Sequence, residues 1–353
     1  MEPLLGKTLA ELQQIAIEAG LPRFVGKQLC EWIYQKRVTS FDAMTNISVK
    51  ARQALQEKYC IGRIQPTAEA VSQDGTRKYL FPVNCQQSTT NYIECVYLPE
   101  DDRVTLCVST QAGCKMGCKF CMTGTLGFHG NLSAAEILAQ VLHFPDLTNL
   151  VLMGEGEPTD NIDGILRTLS VLTSEWGLGW SGKRITVSTV GILPRPNGSI
   201  PALQRFLEET DCHLAISLHN AFPEERAAIM PAQRLTPISD VLDLVRQYDW
   251  SKQRRLSFEY ICWSGINDDI PHAKQLLRLV SGLPCRVNLI RFHSTGNETP
   301  TGQQPVFPAS DEQRMVVFRD YLSAHGITCT IRRSRGEDIL AACGMLVNAL
   351  QEQ

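Results

Sequence analysis

The sequence predicts an α/β protein built as an incomplete (βα)6-type barrel, preceded by a small N-terminal helical domain and a β-hairpin extension. From residue 103 to the end, short apolar runs alternate with amphipathic helical patterns, and successive βα units imply a parallel sheet. Before that point, residues 8–60 show helical periodicity and residues 66–109 show strand-like alternation. The boundaries predicted for the three parts are 1–62, 63–100 and 101–353.

The first two parts have clear local signals. Thr8 and Glu11 form a capping box that opens a first helix. A second helix is expected over 25–36 and a third after Ser48. The extension is expected to contain strands near 68–72, 77–82 and 91–98.

The third part supplies seven strand patterns, which suit an incomplete barrel better than a flat sheet. The predicted strands are 104–109, 149–153, 184–189, 213–218, 256–261, 286–291 and 327–331. The predicted helices are 133–143, 161–175, 200–209, 238–248, 270–281 and 311–324, with a last one near 338–350. Because active sites of such barrels lie at the carboxyl ends of the strands, residues that follow strands are the functional candidates.

Composition is that of an ordinary globular protein, with 43% hydrophobic and 20% charged residues in 353. No apolar run approaches the length of a membrane span, and no basic segment followed by an apolar stretch opens the chain. Thirteen cysteines without an export signal predict a reduced, cytoplasmic protein with metal or redox chemistry rather than a disulfide scaffold.

Charge alone does not identify a partner. The formal net charge of -3 does not indicate a nucleic-acid binder, although residues 1–65 carry nine Lys/Arg against six Asp/Glu. Two further groups of basic residues have either a phosphate-binding or a merely solvated role, and charge leaves both open. These are Lys252, Arg254 and Arg255, and Arg332, Arg333 and Arg335.

Three closely spaced cysteines, Cys114, Cys118 and Cys121, follow the first predicted barrel strand directly. Their spacing brings three thiolates onto one tight loop. Three cysteines can hold a four-iron cluster and leave one iron open, whereas a structural zinc site needs a fourth ligand. The chain offers neither a second Cys-x-x-Cys nor a paired-histidine motif, so an open iron–sulfur cluster is favoured over zinc.

Other polar segments end the neighbouring strands. Residues 154–158 (Gly-Glu-Gly-Glu-Pro) combine glycines that allow close approach of a ligand with a carboxylate that can take an amino group. Ser188 ends the third strand, and Ser217, Leu218 and His219 end the fourth. His219 is either a structural histidine or a ligand contact, and its position at a strand end supports the second reading as much as the first.

The cysteine loop, with Phe120 before its last cysteine, resembles the radical S-adenosylmethionine (SAM) signature, and residues 154–158 resemble the motif of that superfamily that holds the methionine amino group. Cys107, seven residues before the loop, and the run from Arg335 to Cys343 (Arg-Gly-Glu-Asp-Ile-Leu-Ala-Ala-Cys) are similar to the RlmN/Cfr RNA adenine methyltransferases. The resemblance covers nearly the whole chain, including the helical start.

This resemblance implies a radical SAM barrel and roles for two distant cysteines. Cys343 would take a methyl group from a first SAM, and a second SAM bound at a [4Fe-4S] cluster would yield the radical that activates this methyl group. The carbon radical would attack an electron-poor ring carbon of adenine, which is not a nucleophile. Cys107 would release the product by forming a disulfide with Cys343. The position of Glu94 matches the proposed base; the alternative is a strand carboxylate facing solvent.

The resemblance further implies SAM contacts at Gly156, Glu157, Ser188, Ser217, Leu218 and His219. Two positions depart from the family pattern. His293 stands where the family commonly has an asparagine that contacts SAM, and a neutral histidine can make a similar hydrogen bond. Glu155 stands where many relatives have an apolar residue. The eight remaining cysteines are expected to be small buried residues without a catalytic role.

The implied function is methylation of C2 of adenine 2503 in 23S ribosomal RNA and of adenine 37 in some transfer RNAs. The resemblance also implies two SAM molecules per turnover, a flavodoxin-type reductant, no membrane contact and a monomer. The nearest alternative is Cfr-like methylation of C8 of the same ribosomal adenine. Two further alternatives are a radical SAM enzyme for a small molecule or protein and a non-enzymatic, metal-stabilised RNA-binding protein.

Overall fold

A computed structural model describes residues 1–83, 92–193, 200–252, 254–293 and 307–346. The N-terminal part is helical, as predicted, and a short parallel pair of strands ties its ends together. The capping box at Thr8 is present, since the backbone N–H of Glu11 donates to the Thr8 hydroxyl and the backbone N–H of Thr8 donates to the Glu11 carboxylate. Its elements are β1 (Glu2–Pro3), α1 (Leu9–Glu18), α2 (Val25–Cys30) with a π-helical turn (Glu31–Gln35), a 3-10 turn (Phe41–Ala43), α3 (Val49–Gln56) and β2 (Tyr59–Cys60).

The extension is part of the main sheet. Its strands are β3 (Ala68–Val71), β4 (Arg77–Pro82) and β5 (Tyr92–Pro99). These strands pair antiparallel in sequence, and β5 then pairs antiparallel with the first barrel strand, β6 (Val104–Cys107). The predicted strands of this region are confirmed, and the extension lengthens one edge of the barrel sheet.

The barrel alternates strands and helices to the end of the described chain. Its further elements are β7 (Gln111–Gly113), α4 (Met122–Thr125), β8 (Phe128–Asn131), α5 (Ala134–Leu142), β9 (Asn149–Leu152), α6 (Ile162–Thr173), β10 (Ile185–Thr189), α7 (Ala202–Glu209), β11 (His213–Ser217), α8 (Pro223–Ile229), α9 (Ala232–Leu235), α10 (Ile238–Val245), β12 (Leu256–Cys262), α11 (Ile270–Val280), β13 (Cys285–Arg291), α12 (Glu312–Ala324) and β14 (Thr328–Arg332).

The main sheet has ten strands in the order β14-β13-β12-β11-β10-β9-β6-β5-β4-β3. The seven strands from β14 to β6 are parallel, and their order follows the sequence. Among the described residues the two ends of the sheet, β14 and β3, do not pair, so the barrel is open. The predicted incomplete α/β barrel is therefore confirmed.

Burial along β12 shows how the helices and the sheet are layered. Every residue of β12, an inner strand of the parallel part of the sheet, is buried, because helices cover one face and the barrel interior the other. The interior nevertheless holds polar groups. The Glu259 carboxylate accepts hydrogen bonds from Ser257 (3.1 Å) and Asn288 (2.8 Å), and the Arg332 guanidinium lies 3.6 Å from its other oxygen.

Two sequence predictions require correction. The first barrel strand ends at Cys107 rather than at 109, and a separate hairpin, β7–β8, follows it. The last predicted helix, near 338–350, is wrong over its described part, which holds only a 3-10 turn (Glu337–Ile339). Gly336 and Leu340 have positive φ values of 63° and 53°, which an α-helix cannot accommodate. Residues 347–350 lie outside the described residues.

The basic residues that could contact phosphates differ in whether their side chains are available to RNA. The Arg254 guanidinium donates to the carbonyls of Cys212 (2.7 Å), Leu207 (2.9 Å) and Thr210 (2.6 Å), so it closes the end of α7 and is not available to RNA. Arg332 lies beside Glu259 with 38% of its side chain exposed, whereas Arg255 and Arg333 are more fully exposed. The side chain of Lys252 lies outside the described residues. No described helix is long and apolar enough to cross a membrane.

Candidate active site

The hairpin β7–β8 holds the three-cysteine loop at the carboxyl edge of the sheet. The backbone N–H of Cys114 donates to the Gly127 carbonyl at 2.8 Å, which closes the base of the loop. Gly113 has a φ of +70°, and a Cβ added there would lie 1.9 Å from the Gly127 oxygen. Only glycine fits this position. Within the loop, the backbone N–H of Cys121 donates to the Cys118 carbonyl at 3.1 Å.

The environment of these thiols suits a positively charged cluster. Burial raises the pKa of Cys114 to about 12 and raises the pKa of Cys118 and Cys121 as well. The thiolate charges of Cys114 and Cys121 raise the pKa of Cys118 further, so a compensating cation is needed to hold all three as thiolates. In the described ranges no three metal-binding side chains are grouped to hold one ion. Each cysteine of a cubane cluster binds a different iron, so these residues fit a cluster better than zinc.

Arg226, which sequence reasoning missed, lies beneath the loop. It is fully buried and donates to the carbonyls of Leu218 and Ser217, both at 3.0 Å, and to the Gln233 amide oxygen. Burial lowers the pKa of Arg226 to about 10, and its charge opposes the rise in the pKa of Cys118. The arginine follows Pro223 in the short helix α8, and no sequence motif marks it.

Phe120 joins the loop to His219. The two rings meet edge to face, 5.0 Å apart, and Trp263 packs on the Phe120 ring at 5.2 Å. The His219 Nδ1 accepts from the backbone N–H of Ile261 at 3.2 Å, so its Nε2 carries the proton. Burial, and then Arg226, lowers the pKa of His219 to about 3. His219 is therefore a neutral histidine that is hydrogen-bonded within the fold and also contacts the cysteine loop.

The turn at 154–158 is rigid for two reasons. Gly156 has a φ of +100°, and a Cβ there would lie 2.5 Å from the Cβ of Gln111. The Glu157 carboxylate is buried and accepts from the Thr159 N–H (2.9 Å), the Thr159 hydroxyl (2.6 Å), the Val190 N–H (2.9 Å) and the Thr189 hydroxyl. These bonds join the turn after β9 to the end of β10.

Glu155, whose charge sequence reasoning noted only as a departure, connects two other parts of the site. Its carboxylate accepts from the backbone N–H of Glu94 at 2.8 Å and from that of Gly113 at 3.3 Å. It is 1% exposed, and burial raises its pKa to about 8. Glu155 thus links β5 to the residue just before the first cysteine of the loop.

Of the other candidates at strand ends, the two serines have hydroxyls that lie close together, whereas Leu218 is buried with its backbone groups already hydrogen-bonded. The hydroxyls of Ser188 and Ser217 lie 3.4 Å apart on the neighbouring strands β10 and β11. Leu218 is fully buried in the main hydrophobic core. Its backbone N–H donates to the Glu259 carbonyl (3.1 Å) and its carbonyl accepts from Arg226, so both backbone groups are already hydrogen-bonded.

Cys107 and Cys343 come together although 236 positions separate them. Burial raises the pKa of Cys107 to about 12, and the nearby Cys343 thiolate contributes to this rise. Cys343 is exposed but lies in the concave mouth of the barrel, where surrounding protein raises its pKa; the charge of Arg332 opposes this rise. The Gly344 carbonyl accepts from the backbone N–H of Met122 at 2.8 Å, directly after the last cysteine of the loop.

Glu94 is buried, so the solvent-facing alternative is wrong. It is 0% exposed, and its carboxylate lies 3.0 Å from the ammonium group of Lys78, which is 1% exposed. In the register of β5 and β6, Val96 lies opposite Cys107, and Glu94 shares the face of Val96. This face packs against Ala341 and Leu346, close to Cys343. Lys78 was missed because its partner is on another strand.

His293 contacts the segment that carries Cys343. One ring nitrogen is hydrogen-bonded to the Ser334 hydroxyl, and the other lies 3.2 Å from the Glu337 carboxylate.

Of the eight cysteines expected to be structural, the buried ones are Cys30, Cys95, Cys212, Cys262 and Cys329, and those of intermediate exposure are Cys60 and Cys285. Cys85 lies outside the described residues.

An open parallel barrel with a three-cysteine loop at its carboxyl edge defines a radical SAM enzyme. The family model of the radical SAM superfamily matches residues 108–277, and a model described as the ribosomal RNA large subunit methyltransferase N-terminal domain matches residues 3–61. A crystal structure of a radical SAM methyltransferase from Sphaerobacter thermophilus superposes with a TM-score of 0.86 and 36% identity, covering 98% of this chain and 99% of that one.

Curated relatives narrow the class. A probable dual-specificity RNA methyltransferase RlmN of Phocaeicola vulgatus is 52% identical, over 99% of this chain and 96% of the relative. The dual-specificity RNA methyltransferase RlmN of Oleidesulfovibrio alaskensis is 39% identical, over 98% and 96%. The chain belongs to the RlmN family of RNA methyltransferases.

Proposed function

We propose that this protein transfers a methyl group to C2 of adenine 2503 in 23S ribosomal RNA and of adenine 37 in some transfer RNAs, with Cys343 as the methyl carrier. The observation that carries the proposal is the position of Cys343, next to Cys107 and hydrogen-bonded through Gly344 to the residue after Cys121. The names of the relatives, which describe dual-specificity RNA methyltransferases, support the two classes of RNA substrate.

The three loop cysteines would hold a [4Fe-4S] cluster, and two SAM molecules would be used per turnover. When bound, the cluster supplies the electron that splits SAM into methionine and the 5′-deoxyadenosyl radical. The residues proposed to contact SAM are Gly156, Glu157, Ser188, Ser217, Leu218, His219 and His293. Because the Glu157 carboxylate already accepts four hydrogen bonds, little acceptor capacity remains on it for an amino group, so its main role would be to fix the turn that lies beside SAM.

Cys343 needs to become a thiolate to take a methyl group, and the charge of Arg332 favours that form. After the methyl carbon is joined to adenine, the Cys107 thiolate attacks the sulfur of Cys343. A disulfide forms and the bond from the Cys343 sulfur to the new methyl carbon breaks; the electron pair of that bond stays on this carbon, which takes up a proton to become the methyl group. Glu94 takes the proton from the ring carbon, and the unpaired electron left on the ring by the radical attack would pass back to the bound cluster. The ammonium group of Lys78 lies 3.0 Å from the Glu94 carboxylate and forms a buried ion pair with it.

The basic N-terminal helical domain would bind RNA, and the exposed Arg255 and Arg333 would add phosphate contacts. A flavodoxin-type protein would supply electrons to the monomer. These partners follow from the family and from surface charge.

The test is a pair of single-cysteine variants reacted with RNA under anaerobic conditions. We expect Cys107→Ala to accumulate RNA covalently attached to Cys343, because the thiolate that releases it is missing. Cys343→Ala should form no adduct and no methylated product. Cys60→Ala, a half-buried cysteine in the N-terminal part, should behave as wild type. Denaturing gels and peptide mass spectrometry measure the adduct, and persistent methylation by Cys343→Ala would refute the carrier role.

Nucleoside mass spectrometry of the reacted RNA distinguishes the two ring positions. 2-Methyladenosine is the expected product. 8-Methyladenosine without 2-methyladenosine would assign the Cfr-like reaction instead.

A further inference from the structure

The turn between β3 and β4 contacts the segment that carries Cys343 (residues 333–346, called here the Cys343 segment). Within the turn, the Asp74 carboxylate accepts from the backbone N–H of Thr76 at 2.9 Å. The same carboxylate accepts from the backbone N–H of Gly336 at 3.1 Å. One carboxylate therefore satisfies a local turn and also binds a segment 262 positions away.

The Cys343 segment also supplies a carboxylate that binds the turn between β3 and β4. Asp338 accepts from the Ser72 hydroxyl at 2.5 Å and from the backbone N–H of Gln73 at 3.1 Å. Each element thus donates N–H or O–H groups to a carboxylate of the other. Hydrogen bonds to a carboxylate are about twice as strong as those between neutral groups.

Arg335 adds a third connection. Its guanidinium donates to the Asp74 carbonyl at 2.6 Å and to the Pro99 carbonyl on the neighbouring turn. Burial opposes ionisation of Asp74, but hydrogen bonds from Thr76 and Gly336 outweigh it and hold the pKa of Asp74 below its usual value. The carboxylate therefore stays charged at neutral pH, and the contacts that need this charge persist.

Backbone geometry makes the contact specific. Gly336 has a φ of +63°, and a Cβ there would lie 2.8 Å from the Cβ of Ala341 and 2.9 Å from a Thr76 methyl group. The Gly336 carbonyl accepts from the backbone N–H of Ala341 at 2.8 Å, so the chain folds back at once. Cys343 follows two residues later, and Gly344 then binds Met122.

We propose that Asp74 and Asp338 form a reciprocal clamp that positions Cys343 between Cys107 and the three-cysteine loop. Asp74 is a positioning residue for the methyl transfer. The inference rests on the proposed function, which requires Cys343 to reach both partners. The Cys343 segment has no helix longer than a 3-10 turn in its described residues, so the clamp, rather than regular secondary structure, limits its motion.

Three variants test the clamp in the full-length protein with its cluster reconstituted. Asp74→Ala removes both acceptor oxygens, and Asp74→Asn keeps one. The matched control is Asp102→Ala, an exposed carboxylate on the next turn that makes no hydrogen bond or ion pair within the described ranges. Melting temperatures establish that each variant is folded. Should Asp74→Ala unfold, Asp338→Asn tests the same clamp from the other element.

The first measurement does not depend on RNA. Oxidised glutathione takes two electrons and two protons from the Cys107 and Cys343 thiols, forming their disulfide and two molecules of reduced glutathione. We expect the rate of this disulfide, followed by peptide mass spectrometry, to fall about 10- to 100-fold in Asp74→Ala, since small displacements of reacting groups have effects of that order. Asp74→Asn should fall less, and Asp102→Ala should match wild type. An unchanged rate in folded Asp74→Ala overturns the clamp.

The second measurement separates the clamp from the proposed function. The kcat for RNA methylation should fall with the disulfide rate in Asp74→Ala, while the KM for RNA stays the same, because the turn positions Cys343 and does not bind RNA. A higher KM with unchanged kcat overturns the positioning role. If wild type methylates no RNA, the proposed function fails, and the disulfide rate still decides whether the clamp positions Cys343.

Discussion

At the scale of single residues, the site depends on charges that the fold has buried in pairs. Lys78 and Glu94 have exposures of 1% and 0%, with 3.0 Å between the ammonium nitrogen and a carboxylate oxygen. Removing two charges from water is costly, and their attraction repays that cost only while both are present. Glu155 adds a second carboxyl group nearby, and its burial raises its pKa to about 8.

This pairing predicts the effect of removing one charge. Lys78→Met should lower the free energy of unfolding by about 3–5 kcal/mol, because the Glu94 carboxylate loses its buried cation. The double variant Lys78→Met/Glu94→Met should recover most of the loss. Urea unfolding of wild type, Lys78→Met, Glu94→Met and the double variant measures the coupling free energy between the two side chains. Equal stability of the single Lys78 variant and wild type would contradict a buried ion pair.

The same residues show why some of the site was beyond sequence reasoning. The spacing of the three loop cysteines predicts a common loop, because Cys114, Cys118 and Cys121 are close in the chain. Lys78 acts through Glu94 on the neighbouring strand, and Arg226 acts through carbonyls at the end of β11 and the Gln233 amide in α9. Nothing in their sequence neighbours distinguishes either residue from a surface charge. His293 is intermediate, since its departure from the family pattern was visible but its contacts with Ser334 and Glu337 were not.

At the scale of elements, local signals predicted most strands and helices but failed at the end of the chain. The capping box predicted at Thr8 is present, and a second one opens α5 at Ser133, because a hydroxyl and a carboxylate three residues apart can satisfy each other locally. The helix predicted near 338–350 rests on the acidic residues Glu337 and Asp338, which are favoured in the first turn of a helix. Asp338 instead binds the turn at 72–76, and a contact over such a distance leaves no local pattern.

The hairpin β7–β8 leads to a prediction about cluster binding. Gly113→Ala should reduce the iron bound after reconstitution several-fold, because the new Cβ would lie 1.9 Å from the Gly127 carbonyl oxygen and the base of the loop would open. Gly20→Ala, in the N-terminal helical part, is the matched control and should keep its iron. It has a similar φ of +71° but no atom within 4 Å of its added Cβ, so it costs only about 1–2 kcal/mol of backbone strain.

Iron and absorbance measurements compare the two variants. Full iron content in Gly113→Ala would show that the base of the loop does not govern cluster binding.

At the scale of the whole molecule, the N-terminal helices and the barrel share one core. Leu4, Leu29 and Phe41 belong to the same buried cluster as the central strands. Arg37 and Arg63 donate to the Phe144 carbonyl (2.6 Å) and the Leu142 carbonyl (3.0 Å), at the carboxyl end of α5. Cations there are favoured by the helix dipole as well as by the hydrogen bonds.

A shared core predicts cooperative unfolding. Calorimetry of the cluster-free protein should show a single transition, because separating the helices from the barrel would expose apolar surface on both. Arg37→Ala should lower the temperature of that transition without splitting it. Two resolved transitions would indicate that the N-terminal part folds as an independent unit.

The hydrogen bond from the Met122 N–H to the Gly344 carbonyl connects the position of Cys343 to cluster binding at the three-cysteine loop. One backbone bond joins the residue after the last loop cysteine to the residue after Cys343. By thermodynamic linkage, a ligand that binds the loop more tightly when this bond is present also favours the bonded position of Cys343 by the same free energy. We therefore expect loss of a bound cluster to loosen the position of Cys343, which under the proposed function would leave the methyl carrier out of reach of adenine.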